Sequence, residues 1–255
     1  MILTDTHSHL YDNKFAEDQK EVIERAFEEN VNRIFLPNVD QHTVKDMMDI
    51  VATYPDKCFA MMGLHPCHVK ADYKEELAVL KAHLDSNKFC AVGEIGMDLY
   101  WDKTFLEEQK DAFRTQIHWA KEKGLPIAIH CRDAFDEIFE ILESEKDERL
   151  RGIFHCFTGT LEQAHRAINL NLHLGVGGVV TFKKAGLDKV IEQIDLKHLV
   201  LETDSPYLSP SPNRGKRNES SYLVHIAQKI ADLHQVSIHE VAEITTENSK
   251  KIFGF

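Results

Sequence analysis

Apolar residues recur along this chain in two rhythms. Short runs rich in β-branched and aromatic residues occupy 2–6, 33–39, 58–64, 89–94, 126–130, 152–156, 173–177 and 198–203. Runs of that length, bounded by polar or glycine-containing stretches, read as buried strands. Between them the spacing changes to that of a helix: Phe105, Ala112, Phe113, Ile117 and Ala120 fall on one face ahead of the fifth run. Thr160-Leu161-Glu162-Gln163 and Ser237-Ile238-His239-Glu240 have the form of a capping box, so a helix is expected to begin at each. A Pro-containing loop at 205–217 and two helices, at 219–234 and 237–252, follow the eighth strand. Alternating strands and helices without a low-complexity linker predict an α/β chain. The expected architecture is a (β/α)8 TIM barrel with additional C-terminal helices, formed as a single domain over 1–255.

Composition narrows the class. Over 255 residues, 43% hydrophobic and 28% charged side chains supply both a core and a polar surface. No apolar stretch approaches the roughly 20 residues of a membrane span, and Met1-Ile2-Leu3-Thr4-Asp5 carries neither the basic nor the apolar part of a leader. The cysteines, at 58, 67, 90, 131 and 156, are odd in number and lack C-x-x-C spacing, which predicts reduced thiols in a cytoplasmic protein. A net charge of −12 excludes a protein that coats nucleic acid with a broad basic face. It leaves room for an enzyme that grips a few phosphates locally, and a carboxylate-rich metal site looks acidic until its ions are counted.

The candidate chemistry collects at the strand ends. The first run leads into His7-Ser8-His9, and two residues apart on an extended segment both imidazoles face one way. The fourth run ends in Glu94, the fifth in His130, the sixth near His155 and the eighth near Asp204. Singly, a strand-end His is usually a polar cap, and a strand-end carboxylate an N-cap or ion-pair partner. Five strands delivering metal-compatible residues to one face of a barrel make a different case, because active sites are built on that face. The order predicts two divalent ions: His7, His9 and Asp204 on one, His130 and His155 on the other, and Glu94 bridging. The histidines at 42, 83, 118, 165, 225, 234 and 239 are expected on solvated helices, and His173 and His198 at the opposite end of the barrel. His68 follows a loop and carries no signal. Cys131 and Cys156 adjoin candidate ligands, and alternation is expected to turn both thiols into the core.

The motifs Asp5-Thr6-His7-Ser8-His9-Leu10, Gly63-Leu64-His65-Pro66 and Gly93-Glu94-Ile95-Gly96-Met97-Asp98 are followed by Pro126-Ile127-Ala128-Ile129-His130-Cys131-Arg132-Asp133 and His155-Cys156-Phe157-Thr158-Gly159. Glu202-Thr203-Asp204-Ser205-Pro206-Tyr207, Asn213-Arg214-Gly215-Lys216-Arg217-Asn218 and Thr246-Glu247-Asn248, with Phe253 beyond, complete the series. In this order the chain resembles the TatD family of metal-dependent deoxyribonucleases, within the amidohydrolase-like barrels. The resemblance spans essentially the whole chain. It implies His7, His9, Glu94, His130, His155 and Asp204 as metal ligands, and a nucleic acid phosphodiester as substrate: DNA, with RNA as an alternative. Met97 stands where such proteins often have Leu, Cys131 where Ser or Thr is common, and 175–178 is glycine-rich where Ser is frequent.

The expected reaction is exonucleolytic hydrolysis of DNA by a metal-activated hydroxide, with two Zn2+, Mg2+ or Mn2+ ions. Asp204 is expected to orient the water and accept its proton, and Glu94 to set the metal spacing. His65 and Arg132 are expected to face the phosphate, with Arg214 and Lys216 beside it. Glu202, two residues before Asp204, is expected to orient a ligand histidine or act as a base. The rival chemistry is hydrolysis of another ester or amide, such as removal of D-amino acids from tRNA. A non-catalytic binding barrel is the other rival, and retention of all six candidate ligands speaks against it. No membrane association and no obligate protein partner are expected.

Overall fold

The computed structural model describes residues 1–255 as eight parallel strands alternating with helices. The strands are β1 (Leu3–Asp5), β2 (Val31–Pro37), β3 (Cys58–Met61), β4 (Val92–Asp98), β5 (Ile127–Arg132), β6 (Gly152–Phe154), β7 (Leu172–Val176) and β8 (Leu199–Leu201). The helices are α1 (Gln19–Glu28), α2 (Val44–Thr53), α3 (Tyr73–Ser86), α4 (Leu106–Lys123), α5 (Phe135–Ser144), α6 (Leu161–Asn169), α7 (Leu187–Ile191), α8 (Leu223–His234) and α9 (Ile238–Phe253). Continuous hydrogen-bonded pairing runs β1-β2-β3 and β4-β5-β6-β7-β8. Two seams join these sets into a TIM barrel. Between β3 and β4, Cys90 N–H donates to Ala60 O and Gly93 N–H to Met62 O, each at 3.0 Å. Between β8 and β1, Thr6 N–H donates to Leu201 O at 3.0 Å and Asp204 N–H to His7 O at 2.9 Å.

The local signals behave as the pattern predicts. Thr160 accepts from Gln163 N–H while the Gln163 side chain returns to Thr160 N–H, a full capping box that starts α6. Ser237 caps α9 by accepting from Glu240 N–H, and Gly124 ends α4 in the left-handed conformation. A cluster of 62 buried apolar residues, from Leu3 to Ala242, joins strands and helices. At the N-terminal ends of β1 and β8, α9 is held by side chains: Asn248 Nδ2 donates to Leu196 O and Leu199 O, each at 2.8 Å, and Thr246 Oγ1 donates to Ile2 O at 3.1 Å. The Thr246-Glu247-Asn248 motif therefore fastens the end of the barrel remote from the strand C-termini. No helix is long and apolar enough to cross a membrane.

Two strands differ from the pattern. β1 stops at Asp5, so His7 and His9 lie just beyond it, with Ser8 in an isolated parallel bridge to Ser205. β4 does not end at Glu94 but continues to Asp98, and every one of its residues is buried. Its register against β5 shifts between Val92 and Ile95. A glycine followed by a carboxylate, as in Gly93-Glu94, reads as a strand end, whereas here Glu94 is inside the strand.

Gly96 makes that continuation possible. Its φ is +141°, and a Cβ there would lie 2.1 Å from His130 O on the neighbouring strand. A methyl group at this position meets backbone, which cannot rotate away. Gly96→Ala is therefore expected to lower unfolding free energy by about 1–3 kcal/mol or more, measured by denaturant titration. A wild-type midpoint would show that β4 and β5 separate at no cost.

Candidate metal centre

Glu94, 1% exposed, lies at the centre of the strand C-termini. Its Oε2 is 3.1 Å from His7 Nε2 and 3.5 Å from His9 Nε2. Its Oε1 is 2.7 Å from His130 Nδ1, 3.4 Å from His65 Nε2 and 3.7 Å from His155 Nε2. The two oxygens of one carboxylate thus address two sets of imidazoles. Asp204 Oδ1 stands across from it, 3.6 Å from both His9 Nε2 and His155 Nε2 and 3.9 Å from His7 Nε2. All six residues singled out in the sequence meet here. Asp204 lies as near His155 as it does His9, so it faces a member of each expected group. Burial alone would raise both carboxyls, but the surrounding imidazoles outweigh it and hold Glu94 well below the usual carboxylate range and Asp204 below its ordinary value.

The outer nitrogens of the rings settle which face presents a lone pair. Tyr11 Oη donates to Pro37 O, so it accepts from His9 Nδ1 at 2.9 Å, leaving His9 Nε2 unprotonated toward the centre. His130 Nε2 lies 3.0 Å from Asp98 Oδ2, and His155 Nδ1 lies 3.0 Å from Glu202 Oε1. Carboxylates only accept, so the outer nitrogen of His130 carries its proton, the Glu202 carboxylate beside His155 favours the same tautomer there, and the inner nitrogens are the ones that could hold an ion. His65 is the opposite case. Its Nδ1 accepts from Cys67 N–H at 3.1 Å, and burial pushes the imidazole down to about 4. The ring is neutral with its proton on Nε2, a hydrogen-bond donor facing the centre. Burial also disfavours a charge on His130 and His155, yet neighbouring carboxylates override it and push them up to about 9 and about 10. For His130 these are Asp98 and Glu94; for His155, Glu202 and Glu94 lead. The field that stabilises a positive charge on these inner nitrogens equally favours a divalent cation beside them. The donor set of imidazole nitrogens and carboxylate oxygens fits such ions.

Buried polar side chains hold the loops that carry these groups. Asp5, fully buried, accepts from Thr203 N–H at 2.9 Å and Thr203 Oγ1 at 2.6 Å, tying β1 to the segment leading into Asp204. Ser8 Oγ and Ser205 Oγ are 2.6 Å apart on the same seam. Asn38 Nδ2 donates to Gly63 O at 2.9 Å, and Glu94 N–H donates to Asn38 O at 3.2 Å, linking the ends of β2, β3 and β4. Glu202 reaches the back of His155 only because residue 175 is glycine: a Cβ there would lie 2.3 Å from Glu202 Oε2.

The centre opens into a cavity of about 880 Å³. Arg132 is its only lining Lys or Arg, is exposed and makes no ion pair. Arg214 and Lys216, expected beside the phosphate, do not line the cavity. Arg214 instead stacks on Phe182, 3.4 Å from the ring centre, and the third cation of that loop, Arg217, forks onto Asp18. The loop after β8 thus spends two of its cations on its own neighbours. Cys156 is not a core thiol: β6 stops at Phe154, strand alternation no longer applies, and Cys156 lines the cavity with φ +43°. Cys131 packs against the core and also touches the cavity wall. His42 and His68 line the cavity too, and His68 Nδ1 is 2.9 Å from Asp40 Oδ2. Sequence reasoning passed over Tyr11 and Asp98, although Asp98 closed a quoted motif. Their signal is a partner relation visible only in space.

If Asp98 orients His130, an amide in its place opposes one N–H with another while its oxygen still serves the loop. Asp98→Asn is expected to weaken divalent-metal binding about 10- to 100-fold without lowering thermal stability. Competition against a chromophoric chelator measures it, and unchanged affinity would remove Asp98 from the site.

The comparisons agree with this geometry. A family model described as TatD related DNase matches residues 4–254. The chain is 44% identical to the metal-dependent hydrolase YabD of Bacillus subtilis (strain 168), over 99% of each chain. It is 30% identical to the 3'-5' ssDNA/RNA exonuclease TatD of Erwinia tasmaniensis, covering 96% of this chain and 97% of the relative. Among solved structures, the TatD homologue YJJV of Escherichia coli K12 superposes with a TM-score of 0.93 at 28% identity, covering 99% of this chain and 98% of that one. From the first strand to the end of the last helix, this chain belongs to the TatD-related DNase family.

Proposed function

We propose that this protein is a metal-dependent nuclease that trims single-stranded DNA or RNA from an accessible end. The observation that carries the reading is the Glu94 carboxylate, whose two oxygens face two separate sets of imidazoles. In this reading His7, His9, Asp204 and Glu94 would hold one divalent ion, and His130, His155 and Glu94 would hold the other. A borderline ion such as Zn2+ suits four imidazoles better than Mg2+ does. Bound there, the ions would neutralise charge developing on the phosphoryl oxygens and acidify the attacking water.

The chain's own groups supply the rest. Asp204, held ionised and reaching the cavity, takes the proton of the water that attacks phosphorus as the bond from phosphorus to the leaving sugar oxygen breaks. His65 offers Nε2–H, and Arg132 a planar pair of N–H donors, to the non-bridging oxygens. The exonuclease names of relatives at about 30% identity support a single-stranded nucleic acid substrate and an end-directed action.

Turnover of end-labelled single-stranded DNA, RNA and D-aminoacyl-tRNA across a series of divalent metals tests this reading. Release of mononucleotides from one end is the expected result; deacylation without nucleotide release would replace the reading by an aminoacyl-ester hydrolase. Asp204→Ala and Glu94→Ala are expected to lose about 10²-fold or more of the rate while the barrel stays folded by circular dichroism. Near-wild-type rates at saturating metal would remove either residue from the mechanism.

The protein's own phosphate contacts have an ionic signature. Each phosphate neutralised on a single strand contributes a slope of about −0.7 in log affinity against log salt. Arg132→Ala is expected to flatten the slope by about that amount, and Arg214→Ala to leave it unchanged. The reverse would place the phosphate on the loop after β8.

A further inference from the structure

Beyond β4 the chain exposes two aromatic side chains at the cavity mouth: Tyr100, 52% exposed, and Trp101, 70% exposed. They contact each other at 4.8 Å between ring centres and 88° between planes. Arg132, from the end of β5, lies over both, 3.7 Å from the Tyr100 centre and 5.2 Å from that of Trp101. Trp101 and Arg132 line the same cavity as Glu94, His130 and Asp204. This corner is held in register with the centre by one side chain. Asp98 Oδ1 accepts from Tyr100 N–H at 3.0 Å and Trp101 N–H at 3.4 Å, while Asp98 Oδ2 faces His130 Nε2 at 3.0 Å. One carboxylate thus ties the aromatic loop to the imidazole.

The opposite wall has the other character. Asp12, Asp40 and Asp46 line it, and no Lys or Arg accompanies them. Phosphates of a chain running that way would meet carboxylates, whereas on the β4–β5 side they meet Arg132. A polynucleotide whose end lies over the centre thus meets the only Lys or Arg of the lining on the way past Arg132 and across Trp101. We propose that Trp101, braced by Tyr100, is the surface on which the base of the penultimate nucleotide stacks, beside the scissile phosphate held by Arg132. The inference rests on the nuclease reading above. A base offers its face to Trp101 only when unpaired and unstacked, so the platform selects single strands; the sequence of bases matters little, since every base has such a face.

Trp101 is one of only two tryptophans, and the other, Trp119, is buried; at 70% exposure its replacement leaves the core untouched. Trp101→Ala in the full metal-loaded chain is expected to lower kcat/KM on single-stranded oligonucleotides about 5- to 100-fold, the range of losing one base–aromatic stack, chiefly through KM. Trp101→Phe should recover most of it. An oligonucleotide abasic at the penultimate position should lose as much with the wild-type protein, and lose nothing more with Trp101→Ala. Binding is read separately, in the turnover-deficient Asp204→Ala protein, with 2-aminopurine at that position. Its emission should be quenched on binding, and the quenching should vanish when Trp101→Ala is added. Equal kcat/KM for Trp101→Ala and wild type, multiplicative losses with the abasic substrate, or quenching that survives without Trp101 would each overturn the platform. Quenching without hydrolysis of any oligonucleotide by the wild-type protein would instead overturn the nuclease reading and leave the platform supported.

Discussion

A single ionised carboxylate, withdrawn from water at the mouth of the barrel, organises everything around it. Burying such a charge costs several kcal/mol unless it is paired and hydrogen-bonded. Glu94 meets that cost through the positive charge that His130 and His155 take up beside it, a charge that a divalent cation held at the same inner nitrogens would supply in their place. Those rings are useful only if the right nitrogen faces inward, which makes a further set of residues necessary. Tyr11 behind His9, Asp98 behind His130 and Glu202 behind His155 each take the outer nitrogen of one ring. His65 breaks the series because a backbone N–H occupies its outer nitrogen, so it donates where the others present lone pairs. One electrostatic demand thus separates proposed ligands from a phosphate donor among chemically identical side chains.

The barrel satisfies this demand because its strands converge and its two ends have different duties. At the N-terminal ends, Asn248 and Thr246 of α9 take up backbone carbonyls of the residue before β1, of β8 and of the turn preceding β8. At the C-terminal ends, the seam between β8 and β1 carries both structure and chemistry. Asp5 and Thr203, Ser8 and Ser205 close it through buried polar contacts, and His7, His9 and Asp204 leave from the same few residues. Polar closure suits this place, since the strands are too short there for an extended ladder. The position of Asp204 relative to the histidines is therefore inherited from closure of the barrel.

Charge around the mouth is uneven, and the unevenness reconciles an acidic protein with the polyanionic substrate proposed for it. At a net charge of −12, long-range attraction of nucleic acid is absent. What the cavity offers is local: one unpaired Arg132, one donor on His65 and a carboxylate wall opposite. In the proposed reading such a site would favour the end of a strand over its middle, because a backbone continuing over the loops after β1 and β2 would pass Asp12 and Asp46. Asp98 joins this arrangement to the centre, since one of its oxygens orients His130 and the other carries the loop of Tyr100 and Trp101.

The eight-strand alternation, the helix starts at Thr160 and Ser237, and the meeting of His7, His9, Glu94, His130, His155 and Asp204 were determined by the sequence alone. Each follows from short-range physics: strand and helix periods are local, and strands of a parallel barrel present their ends to one place. Tertiary structure decided the rest. β4 runs on past Glu94 because a charge can lie inside a strand when neighbouring strands pair it, and no local pattern encodes that pairing. Cys156 turns to the cavity because β6 stops one residue before His155, where alternation ceases to predict direction. Arg214 and Arg217, adjacent to a functional motif in the chain, are claimed by Phe182 and Asp18, residues distant in sequence. Tyr11, Asp98 and Trp101 gain meaning only from what stands next to them. Sequence spacing specifies which face of an element a side chain occupies, but the partner that satisfies its hydrogen bonds or charge comes from another part of the chain, so only the folded molecule determines it.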